Sequence, residues 1–144
     1  MKRMPRIKDV MSAFPFYIQA SASMDEARQM MTEHNVGHLP VMDNDKLISV
    51  ISLKEIERVR LPGHRHTDFD SLTVGDLCPV NVYITDLNVS LIEVLEEMAA
   101  QHLDCALVTR HDKLAGIFTA SGACRAYAEH LKEEFFPSGG DSVA

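Results

Sequence analysis

The chain is 144 residues long, enough for one compact domain or two very small ones. Hydrophobic residues make up 46% and charged residues 24%, a globular composition that excludes disorder as the main state. Asp and Glu number 21 against 14 Lys and Arg, and this net charge of −7 excludes a general nucleic-acid or anionic-membrane binder, because phosphate attraction needs a positive field.

The start, Met1 to Met11, is basic, but no apolar run of signal-peptide length follows it. No stretch approaches the ~20 apolar residues of a membrane span. Cys78, Cys105 and Cys124 form no CxxC pair and leave one cysteine over in any disulfide scheme, which fits a reducing compartment. A cytoplasmic protein without membrane insertion is therefore expected.

A first strand is expected near Phe16–Gln19. Ser23 and Glu26 then form an S-x-x-E capping box ahead of a helix that carries Met24, Ala27, Met30 and Met31 on one face. Two short apolar runs, His38–Met42 and Leu47–Ile51, flank the polar turn Asp43-Asn44-Asp45-Lys46 and read as paired strands. A helix follows over Leu53–Val59. The polar stretch Arg60–Leu72, with Pro62, Gly63, His64, Arg65 and His66, reads as a linker. The same order then returns. A strand near Val82–Thr85 precedes the box Ser90/Glu93 and a helix with Leu91, Val94, Leu95 and Met98 inward. Strands at Cys105–Thr109 and Leu114–Phe118 and a helix at Ser121–Glu134 complete it, and Pro137–Ala144 reads as a frayed tail.

The chain thus contains an internal repeat, offset by 67 residues. Asp9-Val10-Met11 falls on Asp76-Leu77-Cys78, Met31 on Met98, Val41 on Val108, Asp45-Lys46-Leu47 on Asp112-Lys113-Leu114, and Ser52 on Thr119. We divide the chain into repeat 1 (5–60), a linker (61–72), repeat 2 (73–133) and a C-terminal tail (134–144). Units this small are marginal alone, so the two copies are expected to pack together around a shared core. The fold class is α/β: two β-α-β-β-α repeats related by a pseudo-twofold axis, forming one module.

Several conspicuous residues have ordinary explanations. His34 and His38 have HxxxH spacing, but Asn35 and Gly37 between them end helices, so the two rings do not share one helical face and no metal site is expected. His64 and His66, with Asp68 and Asp70, belong to the polar linker. Cys105 lies among apolar strand residues and is expected to be buried and inert, and neither Cys78 nor Cys124 has surroundings that predict a thiolate. There is no GxSxG, P-loop, HExxH or Cys/His pair at a known spacing, so the chain is not read as an enzyme.

These residues resemble the CBS domain family, named after cystathionine β-synthase, in its tandem form, the Bateman module. The resemblance is carried in the first copy by Asp9-Val10-Met11, Ser23-Met24-Asp25-Glu26-Ala27, Val36-Gly37-His38-Leu39-Pro40-Val41 and Leu47 to Ile56. In the second copy it is carried by Val74 to Cys78, Leu103 to Val108 and Leu114 to Thr119. It implies a module that binds an adenosine-containing ligand (AMP, ADP, ATP or S-adenosylmethionine) in a cleft between the repeats. The family's motif places a Gly, two apolar residues, a Ser or Thr, and an Asp three positions on. The hydroxyl ends a strand, the carboxylate accepts from the ribose hydroxyls, and helix amides with nearby cations meet phosphate.

Carried onto this chain, the resemblance makes Ser52 the hydroxyl and Glu55 the ribose acceptor, with Lys54 beside it for phosphate. Val36, Leu39 and Pro40 match the adenine-lining element, and Ile18 and Thr119 complete the implied nucleotide-binding set. Ser49 stands where the family has Gly. In the second copy Gly116 and Thr119 fit, but Gly122 replaces the Asp and Leu107 the Pro. Losing both ribose acceptors in a buried slot costs about 2–4 kcal/mol. One usable site centred on Ser52 and Glu55 is expected, with a degenerate second one. Ser52-Leu53-Lys54-Glu55 is also a capping box, which explains Glu55 without a ligand.

The expected function is a stand-alone sensor that binds such a ligand and modulates a partner enzyme or transporter, with no cofactor required. The resemblance also implies a homodimer formed through the helices, with surface Met and Leu supplying the contact. The alternative is a dimerisation or scaffold module whose nucleotide sites have decayed.

Overall fold

The computed structural model describes residues 3–60 and 71–137. Linker residues 61–70, with His64, His66, Asp68 and Asp70, and tail residues 138–144 lie outside the described residues. Repeat 1 contributes β2 (Ile18–Gln19), α1 (Met24–His34), β3 (His38–Asp43), β4 (Lys46–Ser52) and α2 (Leu53–Arg60). Repeat 2 contributes β5 (Ile84–Asp86), α4 (Leu91–Gln101), β6 (Cys105–Arg110), β7 (Lys113–Thr119) and α5 (Ala120–Phe135). The β-α-β-β-α order holds in both copies. Three short leader elements were not expected from the sequence: a 3-10 turn at Ile7–Asp9, β1 (Ser12–Ala13) and α3 (Val74–Leu77).

Local chemistry repeats with the sequence. Ser23 and Ser90 cap α1 and α4 by accepting from the N–H of Glu26 and Glu93. Both helices end on a left-handed residue, Asn35 at φ 53° and His102 at φ 55°. In each copy the first strand runs parallel to the second and the second antiparallel to the third. Register shifts fall at the equivalent points Val41/Met42 and Val108/Thr109. The first expected strand is shorter than read, because parallel pairing begins only at Ile18↔Val41 and Phe16 instead stacks on His34.

The two repeats exchange their leaders. The 3-10 turn of repeat 1 docks on repeat 2, with Ile7 N–H donating to Val89 O at 2.8 Å and Lys8 N–H to Leu87 O at 3.2 Å. The equivalent turn of repeat 2 docks on repeat 1, with Val74 N–H donating to Ala22 O and Gly75 N–H to Ala20 O, both at 2.9 Å. Ile7 and Val74 are fully buried, each in the core of the other repeat. β1 likewise joins repeat 2, pairing antiparallel with β7, so one sheet runs β1-β7-β6-β5 and the other β2-β3-β4.

Repeat 1 has its core around Met24, Met31, Leu39 and Ile56, and repeat 2 around Val94, Met98, Val108 and Phe118. A third cluster, Val50, Cys105, Leu107 and Ile117, draws on both repeats and is the shared core. At ~25 cal/mol per Å² of apolar surface, this shared cluster and the exchanged leaders are what make two marginal units one stable body. Met24 and Met31 on α1 and Met98 on α4 are buried, as the helical spacing of their apolar faces requires.

Candidate functional site

Where each third strand runs into the following helix, the chain leaves a hydroxyl and a helix N-terminus facing the other repeat. Two clefts result, equivalent under the repeat. The first has a volume of roughly 430 Å³, and Ser52, Lys54, Glu55 and Arg58 from repeat 1 line it. Repeat 2 supplies the facing wall, Pro79 and Asn81–Tyr83 from its leader and Leu103–Cys105 from its helix-to-strand turn. The second cleft, roughly 660 Å³, has Thr119, Ser121 and Arg125 from repeat 2 facing Ser12–Phe16 and Val36–His38 of repeat 1. Both volumes fall in the range of small-molecule sites, about 300–1,000 Å³. His38, Ser52, Lys54 and Asp104 line both, so the clefts meet.

Glu55 in the first cleft serves its own helix. Its Oε1 accepts from the Ser52 N–H at 2.8 Å and the Ser52 hydroxyl at 3.0 Å, while Ser52 Oγ accepts from the Glu55 N–H at 3.2 Å. The capping box is therefore formed. In the second cleft only half of it exists: Thr119 Oγ1 accepts from Gly122 N–H at 3.2 Å, and α5 has no acidic residue in its first turn.

Burial lowers the His38 pKa below its ordinary value, opposed by the carboxylates of Asp104 and Glu55 and reinforced by Lys54. The ring is thus mainly neutral at pH 7 and adds little charge to the clefts. Burial, reinforced by Asp104 and Glu55, pushes the Cys105 thiol up to about 12, so it is no nucleophile. Tyr83 is also raised by burial.

The nucleotide-binding set read from the sequence does not gather in one place. Ser52, Lys54 and Glu55 line the first cleft. Val36 and Thr119 line the second, which Ser52 and Lys54 also reach. Ile18, Leu39 and Pro40 line neither cleft: all three are buried, Ile18 and Leu39 in the core of repeat 1. The apolar element facing Glu55 comes instead from the other repeat, at Leu103 to Cys105, since the pseudo-twofold sets each helix start against its partner's turn. Sequence reasoning missed Arg58 and Arg125, although an Arg at the same place in both copies was a readable signal. It also missed Asn81, Tyr83 and Phe14, whose cleft positions depend on the leader exchange, and Asp104 in the turn before β6. α1 ends at His34, whose ring stacks on Phe16, while His38 opens β3.

The CBS domain model matches residues 7–61 and 74–129. The chain belongs to the CBS domain family. A tandem CBS pair is a non-catalytic unit, and the chain is not an enzyme. Hypoxic response protein 1 of Mycobacterium tuberculosis is 28% identical over 133 residues, covering 92% of each chain. The CBS domain pair of protein MJ0100, solved with methylthioadenosine and S-adenosylmethionine, shares the fold with a TM-score of 0.78 at 21% identity, covering 89% of this chain and 99% of that one. CBSX2, solved with AMP, has a TM-score of 0.74 at 22% identity, covering 88% of this chain and 98% of that one. No helix among the described residues is long and apolar enough to cross a membrane.

Proposed function

We propose that this CBS pair is a regulatory module that binds an adenosine-containing ligand, AMP, ADP, ATP or S-adenosylmethionine, in the first cleft and thereby modulates a partner protein. One observation carries the reading. The first cleft brings together an acid, Glu55, two cations, Lys54 and Arg58, and an apolar wall that includes Val50, Val82 and Tyr83. An adenine ring needs the apolar wall, a ribose diol needs the acid, and a phosphate needs the cations. The binding of AMP, S-adenosylmethionine and methylthioadenosine by CBS pairs of the same fold supports it. Glu55 would keep its cap through Oε1 and meet the ribose through Oε2.

A ligand regulates only through a difference in affinity between two states, so the partner, an enzyme or transporter, must recognise one of them. The helices supply a surface for assembly. On α5 the apolar residues Tyr127, Leu131 and Phe135 recur every fourth position and are 63%, 38% and 68% exposed. A second copy of the chain covering this stripe would form a symmetric dimer. The scaffold reading draws on the same stripe and on the capping bonds that already occupy Glu55.

A thermal-shift screen of the purified chain against AMP, ADP, ATP, NAD and S-adenosylmethionine tests the proposal. At a concentration near 100 Kd, a true ligand adds about 2.7 kcal/mol and raises Tm by several degrees. No shift with any of these at millimolar concentration transfers the case to the scaffold reading.

A further inference from the structure

We propose that the second cleft is a binding site in its own right, for a phosphorylated aromatic ring that carries no ribose. The proposal does not depend on which ligand the first cleft takes, although Lys54 lines both clefts.

The two clefts share a plan but differ in their walls. Position by position, Asn81 and Tyr83 of the first correspond to Phe14 and Phe16 of the second, so the second is walled by two phenyl rings. Phe14 is 92% exposed and holds φ at 51°, a left-handed backbone that a bulky residue adopts only at a cost. It is fixed there by its N–H bond to Ala115 O at 3.1 Å and by the pairing of β1 with β7 just before it. The leader thus holds a phenyl ring at the cleft in a strained conformation, where water gives it nothing. A flat aromatic ligand stacking on it offsets that cost. The second ring, Phe16, is stacked on His34 at 3.6 Å and 11°.

The cations Arg125 and Lys54 and the hydroxyls of Thr119 and Ser121 also line this cleft. Two cations and two hydroxyls suit a phosphate dianion. What is missing is the ribose acceptor. Gly122 occupies the place of Glu55, and Asp104, at the junction with the first cleft, is the only carboxylate on the wall among the described residues. A ring and a phosphate are provided for; a sugar between them is not.

Calorimetry on the full chain with phenyl phosphate, inorganic phosphate and AMP tests this. Phenyl phosphate should bind roughly tenfold or more tightly than inorganic phosphate, because the ring adds its stacking to the same anion contacts. Arg125→Gln should weaken phenyl phosphate by roughly tenfold. Phe14→Asn, which keeps a left-handed backbone accessible while removing the ring, should weaken it by about threefold or more. Glu55→Gln should leave it unchanged. A side chain also fits at Gly122, where the nearest neighbours of a Cβ would be the Phe118 ring at 3.4 Å and Thr119 Oγ1 at 3.7 Å. Gly122→Asp should therefore weaken phenyl phosphate and raise the affinity of this cleft for AMP. Equal binding of phenyl phosphate and inorganic phosphate, or no binding of either, overturns the proposal. So does a loss that follows Glu55→Gln and spares Arg125→Gln, which would place the probe in the first cleft.

Discussion

The first and second clefts of this molecule follow one backbone plan and have drifted apart in their side chains, and the clearest case is the position where the family has glycine. In repeat 2 it is Gly116, and it has to be: a Cβ there would lie 2.4 Å from Met11 Sδ and 2.9 Å from the Ser12 carbonyl oxygen. β1 lies directly over this position, pairing Ala13 with Gly116. In repeat 1 the same position is Ser49, buried to 1% exposure, and its hydroxyl donates to Pro79 O at 2.6 Å. Pro79 is the repeat equivalent of Ser12 and has no N–H to place in a ladder. A side-chain bond thus anchors the leader of repeat 2 where backbone pairing anchors that of repeat 1. The comparison teaches that the cores and the leader exchange conserve the frame, while each cleft settles its own chemistry within it.

The largest effect expected from pressing on this difference is on binding. Glu55→Gln preserves an S-x-x-Q capping box but removes the charge and one acceptor offered to a ribose. Its Tm should stay within about 2 °C of wild type, while adenosine-ligand affinity in the first cleft falls by roughly 30-fold or more. An unchanged affinity would show that Glu55 only caps its helix.

Making the second cleft resemble the first comes next. Gly116→Ser should cost about 2–3 kcal/mol in urea denaturation, because Ser12 O is backbone and cannot move aside as a flexible side chain can. The reverse perturbation is smaller. Ser49→Ala removes one buried hydroxyl bond to Pro79 O and should cost about 1 kcal/mol. If the two substitutions cost the same, the leaders are held alike and the contrast drawn above fails.

The smallest effect concerns pH. His38 lines both clefts and its folded pKa is lowered by burial below the usual 6.5. The unfolded chain therefore binds a proton first as pH falls, and stability declines from near pH 6.5 down through the folded value, then levels. Chemical denaturation between pH 7.5 and 5 should show a shallower decline for His38→Gln than for wild type. Equal slopes would assign the acid sensitivity to other groups.

Much of the frame was legible in the sequence because it is written in local signals. Ser23 with Glu26 and Ser90 with Glu93 announced two helices, and the apolar runs around Asp45-Lys46 and Asp112-Lys113 announced two hairpins. The leader exchange was not legible. Ile7 and Val74 are single apolar residues in very short turns, and only tertiary packing decides which repeat buries them. That omission propagated to the site. Without the exchange, Val36, Leu39 and Pro40 were grouped with Glu55 as parts of one repeat. In the folded chain Val36 faces Thr119 and Arg125, and Leu39 turns into the core, as alternation along β3 requires. Ser52, Lys54 and Glu55 line one cleft together because they lie within four residues at one helix start, where spacing alone settles proximity.

The most direct test of the account is a crystal structure of the chain grown with AMP at millimolar concentration. The account predicts AMP in the first cleft, with its ribose on Glu55, its phosphate toward Lys54 and Arg58, and its adenine against Val82 and Tyr83. AMP seated instead against Phe14 and Arg125 in the second cleft, or an empty first cleft, would contradict it.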